Sequence, residues 1–145
     1  MLKRKILVID DEKGFTSMLK LNLEASGSYD VHVENDPRNA LQTALQFRPD
    51  IILLDVIMPA TEGPDVAFKI RTHDTLSQTP IIFLTATVTK EEIQSQGGRI
   101  GGHNFVAKPS TLADLLSSIE KNLVSIYLLR PVRYGKKFCC RPCKT

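Results

Sequence analysis

The sequence predicts a doubly wound α/β fold, a parallel sheet with helices packed on both faces. Three observations point there. Short, continuous apolar runs rich in β-branched residues recur along the chain, as strands covered on both faces require. Between them lie stretches whose apolar residues fall three or four apart, the spacing of amphipathic helices. The two kinds of segment alternate through five βα units, and right-handed crossovers then place helices on both sides of one sheet.

The first strand is expected over residues 6–9, Ile-Leu-Val-Ile, with charge on both sides. A helix over 12–26 follows, carrying Phe15, Met18, Leu19 and Leu23 on one face, with Gly27 placed to end it. Residues 29–33 alternate and read as the second strand. A helix over 37–47 has Asp36 as its N-cap, Pro37 in its first turn, and Ala40, Leu41, Ala44 and Leu45 on one face. After Pro49, residues 51–54 are the most apolar strand. Residues 64–72 form a weaker helix with Val66, Ala67 and Ile70 inward. Pro80 sets off a fourth strand over 81–84. A short polar helix over 89–96 and a glycine-rich stretch (Gly97, Gly98, Gly101, Gly102) lead to a fifth strand over 104–107. The last helix spans 112–129, with Leu112, Leu115, Leu116, Ile119, Leu123 and Ile126 three or four apart.

At 145 residues, with 42% hydrophobic and 24% charged side chains, the chain has the size and mix of one globular domain and not of a disordered segment. No apolar run approaches the roughly 20 residues that a membrane helix needs. The basic N-terminus lacks the apolar region of a signal peptide, so the expected location is the cytoplasm. The net charge of +3 is misleading. Arg130, Arg133, Lys136, Lys137, Arg141 and Lys144 stand in a tail without acids. Setting those six aside leaves 13 basic residues against 16 acidic ones, a body of net −3. The tail is therefore weak evidence for nucleic-acid binding by the body. A body over 1–126 and a basic, cysteine-containing tail over 127–145 are the expected divisions.

In a parallel sheet of this kind, chemistry gathers beyond the carboxyl ends of the strands. There the sequence places Asp10 and Asp11, Asp55, Thr85, and Lys108 followed by Pro109. Singly, each has an ordinary structural reading. Asp10 or Asp11 can cap a helix, Asp55 can open a turn, Thr85 can bond local backbone, and Lys108 can be a solvated lysine. Together they are harder to dismiss. Three acids a few ångströms apart repel by an energy on the order of several kcal/mol. They coexist if one is protonated or a cation joins them, and hard carboxylate oxygens suit Mg²⁺. A cation and the Lys108 ammonium would then neutralise an incoming phosphoryl group. One aspartate would be its nucleophile, and Thr85 would donate to the new phosphoryl oxygens.

These residues resemble a known family. Val8-Ile9-Asp10-Asp11-Glu12, Leu53-Leu54-Asp55-Val56-Ile57-Met58-Pro59 with Gly63, Leu84-Thr85-Ala86, and Phe105-Val106-Ala107-Lys108-Pro109 look like the receiver domain of two-component response regulators. The likeness runs from about residue 5 to 126, with four motifs in order and each at a strand end. It implies a flavodoxin-like, five-stranded sheet of order 2-1-3-4-5. It implies that Asp55 accepts a phosphoryl group from a phosphohistidine on a histidine kinase or phosphotransfer protein. Asp11, Asp55 and the Ile57 backbone carbonyl would ligate Mg²⁺, with Asp10 acting through a bound water. Thr85 and Lys108 would contact the phosphoryl oxygens, and Phe105 would be the switch aromatic, without the hydroxyl that a tyrosine brings. The Lys108–Pro109 bond is expected to be cis. Ile57 and Thr87 stand at positions that modulate hydrolysis, and bulky Ile57 is expected to hinder the attacking water. The implied output is a conformation read by a downstream protein at the face of the fourth helix, fifth strand and fifth helix. No DNA-binding domain is expected within the chain, and homodimerisation is a further option.

Other features carry less. His73 lies in a loop, His32 on the far side of its strand from Val31 and Val33, and His103 alone among glycines. Those glycines lack the preceding strand that a phosphate loop needs. Cys139, Cys140 and Cys143 fall one ligand short of a structural zinc site, and their place in the tail reads instead as a flexible extension or the start of something longer. Three other functions compete: a receiver-like binding module without phosphorylation, an aspartyl-nucleophile phosphatase, and a flavin carrier. The complete acid cluster argues against the first. Adjacent aspartates where a phosphatase has D-x-D argue against the second. Acids where a flavin phosphate would sit argue against the third.

Overall fold

The computed structural model describes residues 3–59, 61–86, 91–92, 99–100, 103–108 and 111–129. Strands β1 (Arg4–Ile9), β2 (Tyr29–Glu34), β3 (Ile51–Asp55), β4 (Ile81–Thr85), β5 (Arg99–Ile100) and β6 (His103–Ala107) form one sheet, with order β2-β1-β3-β4-β6-β5. Helices α1 (Lys13–Glu24), α2 (Ala40–Phe47), α3 (Gly63–Arg71) and α4 (Leu112–Leu129) pack against it.

Five strands run parallel in the expected 2-1-3-4-5 sequence, β6 being the fifth of them. The sixth strand is an addition. Arg99–Ile100 pairs antiparallel with β6, through Arg99–Asn104 and Ile100–His103. Two residues are too few to show a side-chain period, so only the backbone reveals this edge. Of the expected helix over 89–96, Glu91 and Glu92 fall within the described residues and are helical.

The side-chain period of two sorts each strand between two cores. Ile6, Val8, Leu53, Ile82 and Leu84 face Leu19 and Leu23 of α1 and Leu115, Ile119 and Leu123 of α4. Leu7, Ile9, Ile52, Leu54 and Phe83 face Ala40 and Ala44 of α2 and Val66, Ala67 and Ile70 of α3. Both sets are buried, which is why these runs are continuously apolar. Each fully buried Leu or Ile stabilises the fold by about 1.5–3 kcal/mol.

The ends of the elements follow local chemistry. Gly27, at φ 80°, takes the left-handed conformation just after α1, and its N–H donates to the Glu24 carbonyl at 3.0 Å. Asp36 Oδ1 accepts from the Arg38 N–H at 3.0 Å, but the turn it caps (Pro37–Asn39) is a 3₁₀ helix that becomes α-helical at Ala40. Such tightening is common at helix starts. Pro64 lies in the first turn of α3, with Lys69 and Arg71 in its last turn against the helix dipole.

Candidate functional site

Register brings the strand ends together. Ile9 pairs with Leu54, Asp55 with Leu84, and Thr85 with Ala107. Asp10, Asp55, Thr85 and Lys108 therefore reach the same edge of the sheet, and Asp11 follows Asp10 there. Carboxylate oxygens of Asp10, Asp11 and Asp55 all lie within 4.8 Å of one another. Asp10 is 0% exposed and Asp55 7% exposed.

Among the described residues, one cation faces this cluster. Lys108 Nζ lies 2.6 Å from Asp10 Oδ2, 3.5 Å from Asp55 Oδ1 and 3.4 Å from Glu12 Oε1, with its side chain 13% exposed. The Lys108 backbone N–H donates to the Thr85 carbonyl at 2.7 Å, which ties the end of β6 to the end of β4. Burial pushes the Asp55 carboxyl above the ordinary carboxylate range and the Asp10 charge adds to this, only partly offset by Lys108. Burial works against the Lys108 ammonium, but hydrogen bonding and charge from Asp10, with help from Asp55 and Glu12, raise its pKa on balance.

Backbone geometry presents Asp55. Val56 N–H donates to the Leu84 carbonyl at 3.1 Å, and Gly63 N–H to the Val56 carbonyl at 2.7 Å. A β-carbon on Gly63 would meet the backbone of Asp55 and come 2.9 Å from Val56 Cα. The start of α3 thus presses directly on the chain that carries Asp55. Ile57, two residues beyond Asp55, has a side chain that is 61% exposed.

The remaining expected site residues are also located. Thr85 is buried at the end of β4. Phe105 stacks on Phe83, with ring centroids 5.2 Å apart and planes at 27°, and packs against the α2–α3 core. Thr87 and Pro109 lie outside the described residues, as do the tail cysteines; the cis expectation for Lys108–Pro109 falls there too. His32 lies beside Phe47 with ring centroids 5.2 Å apart and planes tilted by 30°, and His73 Nδ1 accepts from the Thr75 N–H at 3.3 Å.

Sequence reasoning missed three contributors. Asn35 Nδ2 donates to the Asp10 carbonyl at 2.7 Å and to Thr16 Oγ1 at 3.0 Å, fixing the turn after β1 from the end of β2. Glu12 and Phe15 both touch Lys108. Asn35 was open to discovery, since it follows a strand that ends at the same edge. The contacts of Glu12 and Phe15 depend on side-chain direction across elements.

The donor set fits a divalent cation. The three carboxylates supply hard oxygens, and their mutual repulsion leaves a deficit of positive charge that Lys108 only partly fills. A sequence model of the response regulator receiver domain matches residues 6–120. The chain belongs to this family. Receiver domains are signalling modules.

Solved structures agree. Chemotaxis protein CheY4 of Vibrio cholerae is 29% identical, over 83% of this chain and 98% of that one, with a TM-score of 0.70. The BeF3-activated receiver domain of RstA from Klebsiella pneumoniae is 25% identical, over 83% and 98%, with a TM-score of 0.68. The receiver domain of a signal transduction histidine kinase from Syntrophus aciditrophicus is 26% identical, over 84% and 91%, with a TM-score of 0.69. Among the described residues of this receiver domain, no helix is long and apolar enough to cross a membrane.

Proposed function

We propose that this receiver domain is a phosphorylation-dependent switch whose acceptor is Asp55. The observation that carries the reading is the juxtaposition of Asp10, Asp11 and Asp55 with the Lys108 ammonium, 2.6 Å from Asp10 and 3.5 Å from Asp55.

The Asp55 carboxylate attacks the phosphorus of a phosphohistidine on a partner kinase or phosphotransfer protein. An Asp55 O–P bond forms as the P–N bond breaks. The electron pair of that bond returns to the imidazole, which leaves neutral because its other nitrogen carries a proton. Lys108 and the Thr85 hydroxyl bind the transferred oxygens. Asp11, Asp55 and the Ile57 carbonyl hold Mg²⁺ in this reading, with Asp10 acting through water. That indirect part for Asp10 is supported by its two oxygens, which already accept from the Glu12 N–H at 3.0 Å and from Lys108. Bound there, Mg²⁺ supplies positive charge beside the phosphoryl oxygens and lowers the cost of ionised Asp55.

Movement of Thr85 toward the phosphoryl group gives Phe105 room to turn inward. This changes the surface of β6, α4 and the expected fourth helix (89–96), which a downstream protein or a second copy reads. Residues 1–126 make the switch body in this reading, and residues 127–145 its basic, cysteine-containing tail.

The test is phosphorylation by phosphoramidate in the presence of Mg²⁺, followed by intact mass. Addition of a single phosphoryl group that Asp55→Asn abolishes supports the switch. Sustained release of phosphate from added phosphomonoesters, or no addition at all, contradicts it.

A further inference from the structure

The Lys108 ammonium has a neighbour that is not a carboxylate. The centroid of the Phe15 ring lies 4.4 Å from Nζ, well inside the ~6 Å within which a cation is drawn to an aromatic face. The carboxylates of Asp10, Asp55 and Glu12 surround the same atom. Phe15 belongs to the first turn of α1, is partly buried against the core, and borders a groove of about 160 Å³ lined also by Met18, Thr111, Leu112 and Leu115.

We propose that Phe15 is a positioning residue for Lys108, its ring face holding the ammonium against the acid pocket so that it meets the phosphoryl group arriving at Asp55. This rests on the proposed function above. A lysine carries its charge on a flexible four-carbon stem, and ordering that stem costs side-chain entropy. In the resting site, Asp10 fixes the ammonium at 2.6 Å. On phosphoryl transfer, the charge to be neutralised appears on new oxygens beyond Asp55, and Nζ must shift without escaping along the groove. A directional hydrogen bond resists such a shift. Attraction to a ring face tolerates it, because the negative potential extends across the face. The site is buried enough for that attraction to survive competition from water.

The experiment uses the full chain with residue 15 occupied by Phe, by Leu, by Tyr, or by phenylalanines carrying increasing numbers of ring fluorines. Fluorination keeps the shape of the ring and drains its negative face. Two quantities are read: the proton shifts of the Lys108 ε-methylene by NMR, and the second-order rate constant for phosphorylation by phosphoramidate with Mg²⁺. The expected results are an upfield ring-current shift in wild type and Phe15→Tyr that disappears in Phe15→Leu, and a rate that falls step by step with each fluorine. The fully fluorinated ring and Phe15→Leu are expected to be about fivefold slower than wild type, equivalent to ~1 kcal/mol at 1.4 kcal/mol per tenfold. Phe15→Tyr retains the wild-type rate. Equal rates across the fluorinated series, or no ring-current shift at Lys108, overturn the inference and leave Phe15 a packing residue, with the proposed function intact. A wild-type chain that takes no phosphoryl group contradicts the function and this inference with it.

Discussion

Lys108 Nζ stands 2.6 Å from Oδ2 of Asp10, a carboxylate with no exposure to solvent. The two residues are 98 apart in the chain and meet because β1 and β6 end at the same edge of the sheet. Removing one partner of a buried pair leaves the other charge without compensation. Lys108→Met is therefore expected to lower the metal-free unfolding free energy by about 3 kcal/mol, read from urea titration. Added Mg²⁺ should restore part of that loss. A change within about 0.5 kcal/mol, the range of ordinary surface substitutions, contradicts the buried-pair account.

Asp55 behaves in the opposite sense. Its carboxyl pKa is raised by burial and by Asp10, so the folded state binds its proton more tightly than the unfolded chain. The stabilisation from that proton is complete below the unfolded pKa and is lost as pH rises through the folded value. Above the folded value, ionised Asp55 opposes folding in the absence of metal. Asp55→Asn is expected to be more stable than wild type at pH 7 without metal, with the difference shrinking toward pH 4. Thermal unfolding of both proteins across this range, with and without Mg²⁺, measures it, and Mg²⁺ should narrow the gap by stabilising wild type more.

Two glycines separate close approach from mere flexibility. A β-carbon on Gly63 meets the Asp55 and Val56 backbone, whereas one on Gly14 meets nothing within 4 Å. Gly63→Ala should cost about 1–3 kcal/mol and slow phosphorylation by displacing Asp55. Gly14→Ala, inside α1, should stabilise by about 0.5 kcal/mol through helix propensity. Equal effects at the two positions would remove the steric argument.

Tyr29 titrates late. Burial raises its phenol pKa to about 12, assisted by the hydrogen bond its hydroxyl donates to Glu120. The folded state therefore holds the phenolic proton beyond the unfolded value of about 10. This stabilisation is complete below pH 10 and is lost as pH climbs toward 12. Subtracting the ultraviolet titration of Tyr29→Phe from that of wild type should isolate one phenol ionising near 12. A midpoint near 10 would contradict the buried setting.

Much of this architecture is legible in the sequence. The apolar runs around Ile6–Ile9 and Ile51–Leu54 reveal themselves because both faces of each strand are covered, and the parallel topology then dictates that Asp10, Asp55, Thr85 and Lys108 share an edge. What stays hidden depends on features without a side-chain period. The antiparallel pairing of Arg99 with Asn104 is a backbone event two residues long. The 3₁₀ turn at Pro37 differs from an α-helical start only in hydrogen-bond reach. The Phe15–Lys108 contact joins two elements that are far apart in sequence, and nothing local announces it.

The central claim is that one carboxylate, Asp55, becomes the acyl phosphate. Borohydride reduces an aspartyl phosphate to homoserine and spares ordinary carboxylates. Treating the chain with phosphoramidate and Mg²⁺, reducing it, and sequencing its peptides by mass spectrometry locates the modified residue. The account predicts homoserine at position 55 and at no other aspartate. Homoserine at position 10 or 11, or none at any position despite phosphorylation, would contradict it.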